Sequence, residues 1–164
     1  NISMTKKLPK SLMIALMFLF SASASVQAQD DPSRMTYAMA ETAMEAAAAY
    51  AREKGWNVTI LVADQHGTPV MLRRLDGASA RTFDIVRSKA LVVLQTGLTS
   101  GQYGAMLAAG EIEEIEGGVT FQGGVPVYVD GVLVGAVTAS GVRGNQDEEI
   151  SIAGATTIGS ITKD

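Results

Sequence analysis

Apolar and polar positions alternate along the chain with the periods of helices and strands. Apolar residues recur at helical spacing from Met35 to Tyr50, and Gly55 follows as a stop signal, which predicts a helix. Residues 57–64 read NVTILVAD, a short β-branched run typical of a buried strand. A turn that contains a glycine and a proline follows, and residues 70–75 then form a second strand. The two strands are therefore predicted to form a hairpin.

Two further helices are indicated downstream of this hairpin. An apolar stripe runs through the first, after the candidate cap Ser79 and before the terminating glycine Gly97, and consists of Phe83, Val86, Ala90 and Val93. A shorter helix is predicted over residues 101–109. Residues 110–118 are rich in glutamate and glycine, which indicates a loop.

The strongest local signal lies between residues 119 and 141. Alternating valines flank Asp130-Gly131, a pair typical of a two-residue type I′ hairpin turn. This turn places Val129 opposite Val132, and Val127 opposite Val134. Asn145 is a candidate cap of the last helix, with Glu148 as its capping-box partner. The order α-β-β-α-α-β-β-β-α predicts an α/β fold with a mostly antiparallel sheet of about five strands and flanking helices.

The composition indicates a single domain and excludes several classes of binding site. Hydrophobic residues make up 47% of the 164 residues, enough for one well-packed domain. The chain has no cysteine and one histidine, which excludes disulfides, thiolate metal sites and multi-histidine clusters. A net charge of −4 gives no electrostatic basis for binding nucleic acid or anionic lipid.

The first residues have the layout of a secretory signal peptide. Three lysines, at positions 6, 7 and 10, precede an apolar run over residues 12–20, and Val26-Gln27-Ala28 resembles a cleavage site. The run is shorter than the roughly 20 residues that span a bilayer. We therefore expect a signal peptide over 1–28, a single domain over 29–164, no stable membrane insertion after cleavage, and a periplasmic or secreted protein.

Several short motifs occur in a specific order. They are Lys89-Ala90, the run Gly123-Gly124-Val125-Pro126, Ser140-Gly141 and Asp147-Glu148. Together with the first hairpin they resemble the GlcG/HbpS family, which also occurs as the C-terminal domain of some cobalamin adenosyltransferases. The resemblance implies a profilin-like fold, assembly into homo-oligomers and, as in some relatives, haem binding.

Candidate ligand-binding residues follow from these motifs and from general chemistry. Glycine amides and a helix N-terminus favour anions, and arginine binds carboxylates through its fork of donors. The candidates are Gly123, Gly124, Val125, Pro126, Arg74, Phe83, Lys89, Ser140 and Arg143. Several have a structural alternative: a bulge for the glycine pair, a solvated or edge strand position for the arginine, a simple helix cap for the loop after Ser140, and a snorkelling side chain for Lys89. Lys89 is expected to pair with Asp76 or with a ligand.

Three functions remain open at this point, one of which is a structural or interaction module without a ligand. The first is an exported small-ligand-binding protein that takes haem or a related tetrapyrrole between the glycine-rich hairpin and the helix from Phe83 to Lys89, for sequestration, transfer or sensing. His66 and Tyr103 are then candidate ligands of the haem iron. The alternative is an enzyme that performs acid–base chemistry on a small organic acid, with Asp147, Glu148 and Lys89 as catalytic candidates.

Overall fold

The computed structural model describes residue 31 and residues 34–163, so the predicted signal peptide lies outside the described part. None of the described helices is long and apolar enough to cross a membrane. The elements follow one another in the order α1 (Tyr37–Lys54), β1 (Thr59–Asp64), β2 (Pro69–Arg74), α2 (Thr82–Thr96), α3 (Ser100–Ala108), β3 (Gly124–Val129), β4 (Val132–Ser140) and α4 (Gly144–Ala155).

The strands form one antiparallel sheet with the order β2-β1-β4-β3. The predicted α/β class and antiparallel pairing are confirmed, but the sheet has four strands rather than about five. The predicted order has three strands in the region between residues 119 and 141, whereas the structure has two, because the described residues 119–123 form no strand. Gly123 has a φ of 120°, far from strand values, so the chain turns away from the sheet at this residue.

The hairpin of β3 and β4 has the predicted turn. Asp130 and Gly131 both adopt positive φ values, 49° and 74°, as a type I′ turn requires. Val129 faces Val132 as predicted, but an irregularity after Val127 shifts the rest of the ladder by one residue. Val127 therefore lies opposite Gly135, and the predicted partner Val134 is wrong.

Helices cover both faces of the sheet. Alternate residues of β1 show this, because Ile60 and Val62 pack with α1 and α4, whereas Leu61 and Ala63 pack with α2. The two cores therefore lie back to back, with the sheet between two helical layers.

Helices α1 and α4 lie unusually close together. The buried positions of α1 are almost all alanine. A Cβ atom added to Gly154 of α4 would lie 2.7 Å from the Ala43 carbonyl oxygen and 3.0 Å from the Ala47 Cβ. Small residues on both helices thus set the distance between them.

The start of α2 differs from the prediction. The helix begins at Thr82, and Ser79 contributes its carbonyl oxygen to the Thr82 hydroxyl rather than a side-chain cap. Phe83 was assigned to the apolar stripe but is 41% exposed. Lys89, a charged residue, is buried on the inner face of this helix instead.

The start of α4 also differs. Arg143 is the cap residue in extended conformation, and its amide donates to the Gln146 side chain at 3.3 Å. The predicted cap Asn145 lies inside the first turn, and Glu148 is not the capping-box partner. The helix begins earlier than predicted because the chain leaves β4 at Ser140 and reaches Arg143 after two residues.

Candidate functional site

A buried ion pair joins the two helical layers. Lys89 of α2 donates from Nζ to Asp147 Oδ2 of α4 at 3.0 Å and to the Ala139 carbonyl oxygen of β4 at 2.7 Å. The two side chains are 1% and 4% exposed. The expected partner of Lys89 was Asp76 or a ligand, and the structure shows Asp147 instead.

Gly123 makes room for this pair. A Cβ atom at this position would overlap Lys89 Nζ and would lie 2.6 Å from Asp147 Cβ. The Gly123 carbonyl oxygen accepts hydrogen bonds from the Ala139 amide at 2.8 Å and from Ser151 Oγ at 2.7 Å. A glycine is therefore required here for both its positive φ and its missing side chain.

The rest of the glycine-proline motif is packed into the protein. The Gly124 amide donates to Ser100 Oγ at 2.9 Å, so it does not face a ligand. Val125 and Pro126 are buried in β3. The platform of free glycine amides that the motif suggested is not formed at Gly124.

Burial shifts the acid–base properties of both charged groups. It lowers the pKa of Lys89, an effect that the nearby Asp147 carboxylate opposes. Burial likewise raises the pKa of Asp147, against the influence of Lys89 and of the Val142 and Gly141 amides. The amide of Val142 donates to Asp147 Oδ1 at 3.2 Å. A lysine and an aspartate whose pKa values approach each other are the groups that acid–base chemistry requires.

The ion pair lies at the edge of an open cleft of about 500 Å³. This lysine cleft is lined by Ile85, Lys89, Thr120, Phe121, Gln122, Ser140, Val142, Gly144 and Asp147. Three of the predicted site residues, Lys89, Ser140 and Asp147, thus meet in one place. Gln122 is fixed by a hydrogen bond from Nε2 to Glu148 Oε2 at 3.0 Å, which brings Glu148 to the rim.

The remaining ligand-binding candidates lie elsewhere. Arg74 is exposed on β2 and lines a separate depression beside Arg52 and Trp56. Arg143 is exposed at the start of α4, and Phe83 is exposed on α2. None of these three residues lines the lysine cleft.

A second concave surface lies on the solvent-facing side of α2. This histidine face is a cleft of about 330 Å³, lined by His66, Gly67, Asp84, Arg87, Ser88 and Leu91. Asp64 Oδ1 fixes the turn that carries His66, because it accepts the amides of His66 and Thr68, each at 2.9 Å. Within residues 34–163 the His66 imidazole has no hydrogen-bond partner.

The other iron-ligand candidate, Tyr103, has a structural partner. It is buried, and its hydroxyl oxygen accepts a hydrogen bond from the Ile115 amide at 2.9 Å. Tyr103 therefore anchors the acidic segment after α3. The described residues contain no group of three or more histidine, aspartate or glutamate side chains arranged to hold a metal ion.

Sequence reasoning missed several residues of the two surfaces. Ile85 precedes Lys89 by one helical turn, and helical spacing does place it on the same face as Lys89, but it was not among the ligand-binding candidates. Phe121 and Gln122 adjoin Gly123, but nothing in their sequence context indicated that they line a cavity. The proximity of Arg87 to His66 depends on how α2 packs on the sheet, and no local pattern encodes it.

Comparisons with known proteins agree with this geometry. The family described as haem degrading protein HbpS-like matches residues 35–156. Protein GlcG of Escherichia coli K12 is 31% identical over 104 residues, which cover 62% of this chain and 78% of GlcG. A double mutant of Streptomyces reticuli HbpS superposes with a TM-score of 0.71 at 29% identity, over 77% of this chain and 88% of that one.

A more distant structure shares the fold. The PduOC:heme complex superposes with a TM-score of 0.65 at 21% identity, over 76% of this chain and 95% of that one. The family match covers most of the chain, and the HbpS structure shares its fold. On these grounds the chain belongs to the HbpS-like family.

Proposed function

We propose that this protein binds haem, and that the histidine face is the binding surface. The comparisons support a haem-related function, because the family is described as haem degrading and one protein of the same fold forms a complex with haem. The observation that carries the choice of surface is the free, exposed imidazole of His66 beside Arg87.

The residues of the histidine face suit a haem group. Imidazole nitrogen is a common axial ligand of haem iron. Arg87 offers a guanidinium group for a propionate, and its guanidinium carbon lies 5.5 Å from the centre of the exposed Phe83 ring. Leu91 and Phe83 provide apolar contact for a porphyrin edge. Bound haem would supply a redox-active iron, while the chain would ligate the iron and hold the carboxylates.

The lysine cleft suits haem less well. No histidine, tyrosine or methionine is among its lining residues, and the Lys89 amine is engaged by Asp147 and Ala139. Haem was expected between the glycine-rich hairpin and the helix from Phe83 to Lys89. Our proposal keeps the same helix but uses its solvent-facing side.

The histidine face opens to solvent, which bears on how the protein assembles. A porphyrin on an open surface leaves one side uncovered, and a second copy of the chain is the partner that we propose to cover it, in a homo-oligomer. We also propose that the signal peptide directs the protein to the periplasm or outside the cell. An exposed haem site there suits sequestration, transfer or sensing.

Titration with hemin tests the proposal. The mature chain, residues 29–164, should give a saturable, sharpened Soret band at fixed stoichiometry. His66→Ala should lose that band, and Arg87→Gln should weaken binding about tenfold, the effect of losing one charge-assisted hydrogen bond. Tyr103→Phe is the matched control, because it removes the other candidate iron ligand. A His66→Ala variant with unchanged spectrum and affinity would refute the assignment.

A further inference from the structure

We infer that the lysine cleft is a second ligand site, and that its ligand is a small organic carboxylate with a short apolar body. This site is separate from the histidine face and does not depend on haem binding. The inference stands on three groups that meet in the cleft: an incompletely used ammonium group, an unpartnered hydroxyl group and the start of a helix.

The Lys89 ammonium group keeps one donor free. An ammonium group has three N–H donors. The structure uses two of them, one toward Ala139 and one toward Asp147. The third N–H has no acceptor within residues 34–163, and Lys89 lines the cleft, so a ligand there is the acceptor that we infer for it.

The Ser140 hydroxyl is a second, independent indication of a ligand. Ser140 is only 5% exposed, lines the cleft and lies on the side of β4 that faces α2. Its hydroxyl has no hydrogen-bond partner within the described residues 34–163. Gln65 Oε1 is the one fully buried side-chain polar atom without a partner among the described residues, so the Ser140 oxygen is open to the cleft, where a ligand could take the place of solvent as its partner.

The third group is the N-terminal turn of α4. Gly144, the first residue of this helix, lines the cleft. The first amides of a helix lack partners within the helix and favour anions. Both oxygens of Asp147 already accept hydrogen bonds, from Lys89 and from the Val142 amide. The Glu148 carboxylate at the rim accepts from Gln122 Nε2. The groups left for a ligand inside the cleft are therefore donors, which favours a negatively charged acceptor there.

Apolar side chains define the rest of the ligand. Ile85 and Val142 line the cleft, and Phe121, at its mouth, is 57% exposed although it is a large aromatic residue. A carboxylate with an aliphatic or small aromatic body would contact these three side chains and would cover Phe121. A purely inorganic anion would leave them uncovered.

Binding of matched acid and amide probes tests this inference. Acetate, isobutyrate and benzoate are titrated into the mature chain, and isobutyramide serves as the uncharged partner of isobutyrate. Isobutyrate or benzoate should bind more tightly than acetate, isobutyramide should bind at least tenfold more weakly than isobutyrate, and amide resonances of residues 120–124 and 140–147 should shift in NMR spectra. Equal binding of acid and amide, or no binding of any of the three acids, would overturn the inference.

Variants locate the site. Ser140→Ala should weaken isobutyrate binding about tenfold, as expected for one hydrogen bond to a charged group. Ser79→Ala, a serine outside the cleft, is the control and should bind as the unaltered chain does. The double variant Lys89→Met with Asp147→Leu removes both charges together, and it should lose isobutyrate binding. Unchanged affinity in Ser140→Ala would contradict the assignment whether or not the double variant folds.

Separate variants test the assignment of each of the two proposed sites. His66→Ala should bind isobutyrate normally, and Ser140→Ala should bind hemin normally. If Ser140→Ala instead weakens hemin binding and His66→Ala does not, the lysine cleft is the haem site and the inference of a separate carboxylate site is wrong.

Discussion

Removing only one member of the buried ion pair should be far more damaging than removing both. Lys89→Met leaves the Asp147 carboxylate without a cation at a position that is 3% exposed. It also takes a donor from the Ala139 carbonyl oxygen. Asp147→Leu leaves the ammonium group equally unpaired.

The magnitude follows from the cost of an uncompensated buried charge. Breaking a buried pair on one side typically lowers the free energy of unfolding by about 3–5 kcal/mol. The double variant leaves no buried charge. It loses the donor to the Ala139 carbonyl oxygen and the acceptor of the Val142 amide, and each unsatisfied group costs about 1–3 kcal/mol. The double variant should therefore be more stable than Lys89→Met, and the two substitutions should be coupled by about 3 kcal/mol or more.

Urea unfolding of the unaltered protein, the two single variants and the double variant, followed by circular dichroism, measures this double-mutant cycle.

The stability of Lys89→Met should also depend on pH. Lysine is one of the groups that lower the pKa of Asp147, so its removal raises that pKa further above the ordinary value. A carboxyl group with a raised folded pKa stabilises the fold below its unfolded pKa, and this contribution is lost as pH rises through the folded pKa.

The deficit of Lys89→Met should therefore shrink as the pH is lowered from neutral toward the ordinary aspartate pKa of about 4, and the double variant should show no such change. Additive effects of the two substitutions, or a loss below about 1 kcal/mol in Lys89→Met, would show that the pair is not buried as described.

Three further results are expected. Gly123→Ala should destabilise the protein by about 3 kcal/mol through backbone strain and overlap with the ion pair, whereas Gly131→Ala, at a positive φ with open space around it, should cost about 1 kcal/mol in the same unfolding assay. Tyr103→Phe should lower the free energy of unfolding by about 1–2 kcal/mol and speed hydrogen exchange in the acidic segment, because a buried amide loses its acceptor. Asp64→Ala should remove the hydrogen bonds that order the turn carrying His66, and hemin binding should weaken several-fold in spectroscopic titration. Unchanged binding would mean that the turn is ordered without this carboxylate.

Local patterns predicted most of the fold. The period of apolar residues located α1, both hairpins and α2, and Asp130-Gly131 located a turn whose two positive φ values the structure confirms. The errors have local physical causes. A bulge after Val127 adds a residue that no sequence pattern marks, and a positive φ at Gly123 ends the stretch that was assigned to an additional strand.

The site was predicted in part. Lys89 stood out because it is a charged residue in an apolar helix pattern, and Asp147 because it opens a helix, but their pairing depends on two helices that lie on opposite faces of the sheet. Spacing along the chain does not report such a contact. For the same reason Arg74 and Arg143, which carry suitable chemistry, lie outside the cleft.

The close contact of α1 with α4 has a consequence for how this protein tolerates change. Gly154 touches the backbone of α1, while the other end of the same helix carries Asp147 and Gly144 into the cleft. A larger side chain at Gly154 would push α4 away from α1, and it would thereby displace Asp147, which lies two helical turns away. The shape of the lysine cleft can therefore change through substitutions at positions that do not line it, because they alter the spacing of two helices on the far side of the sheet.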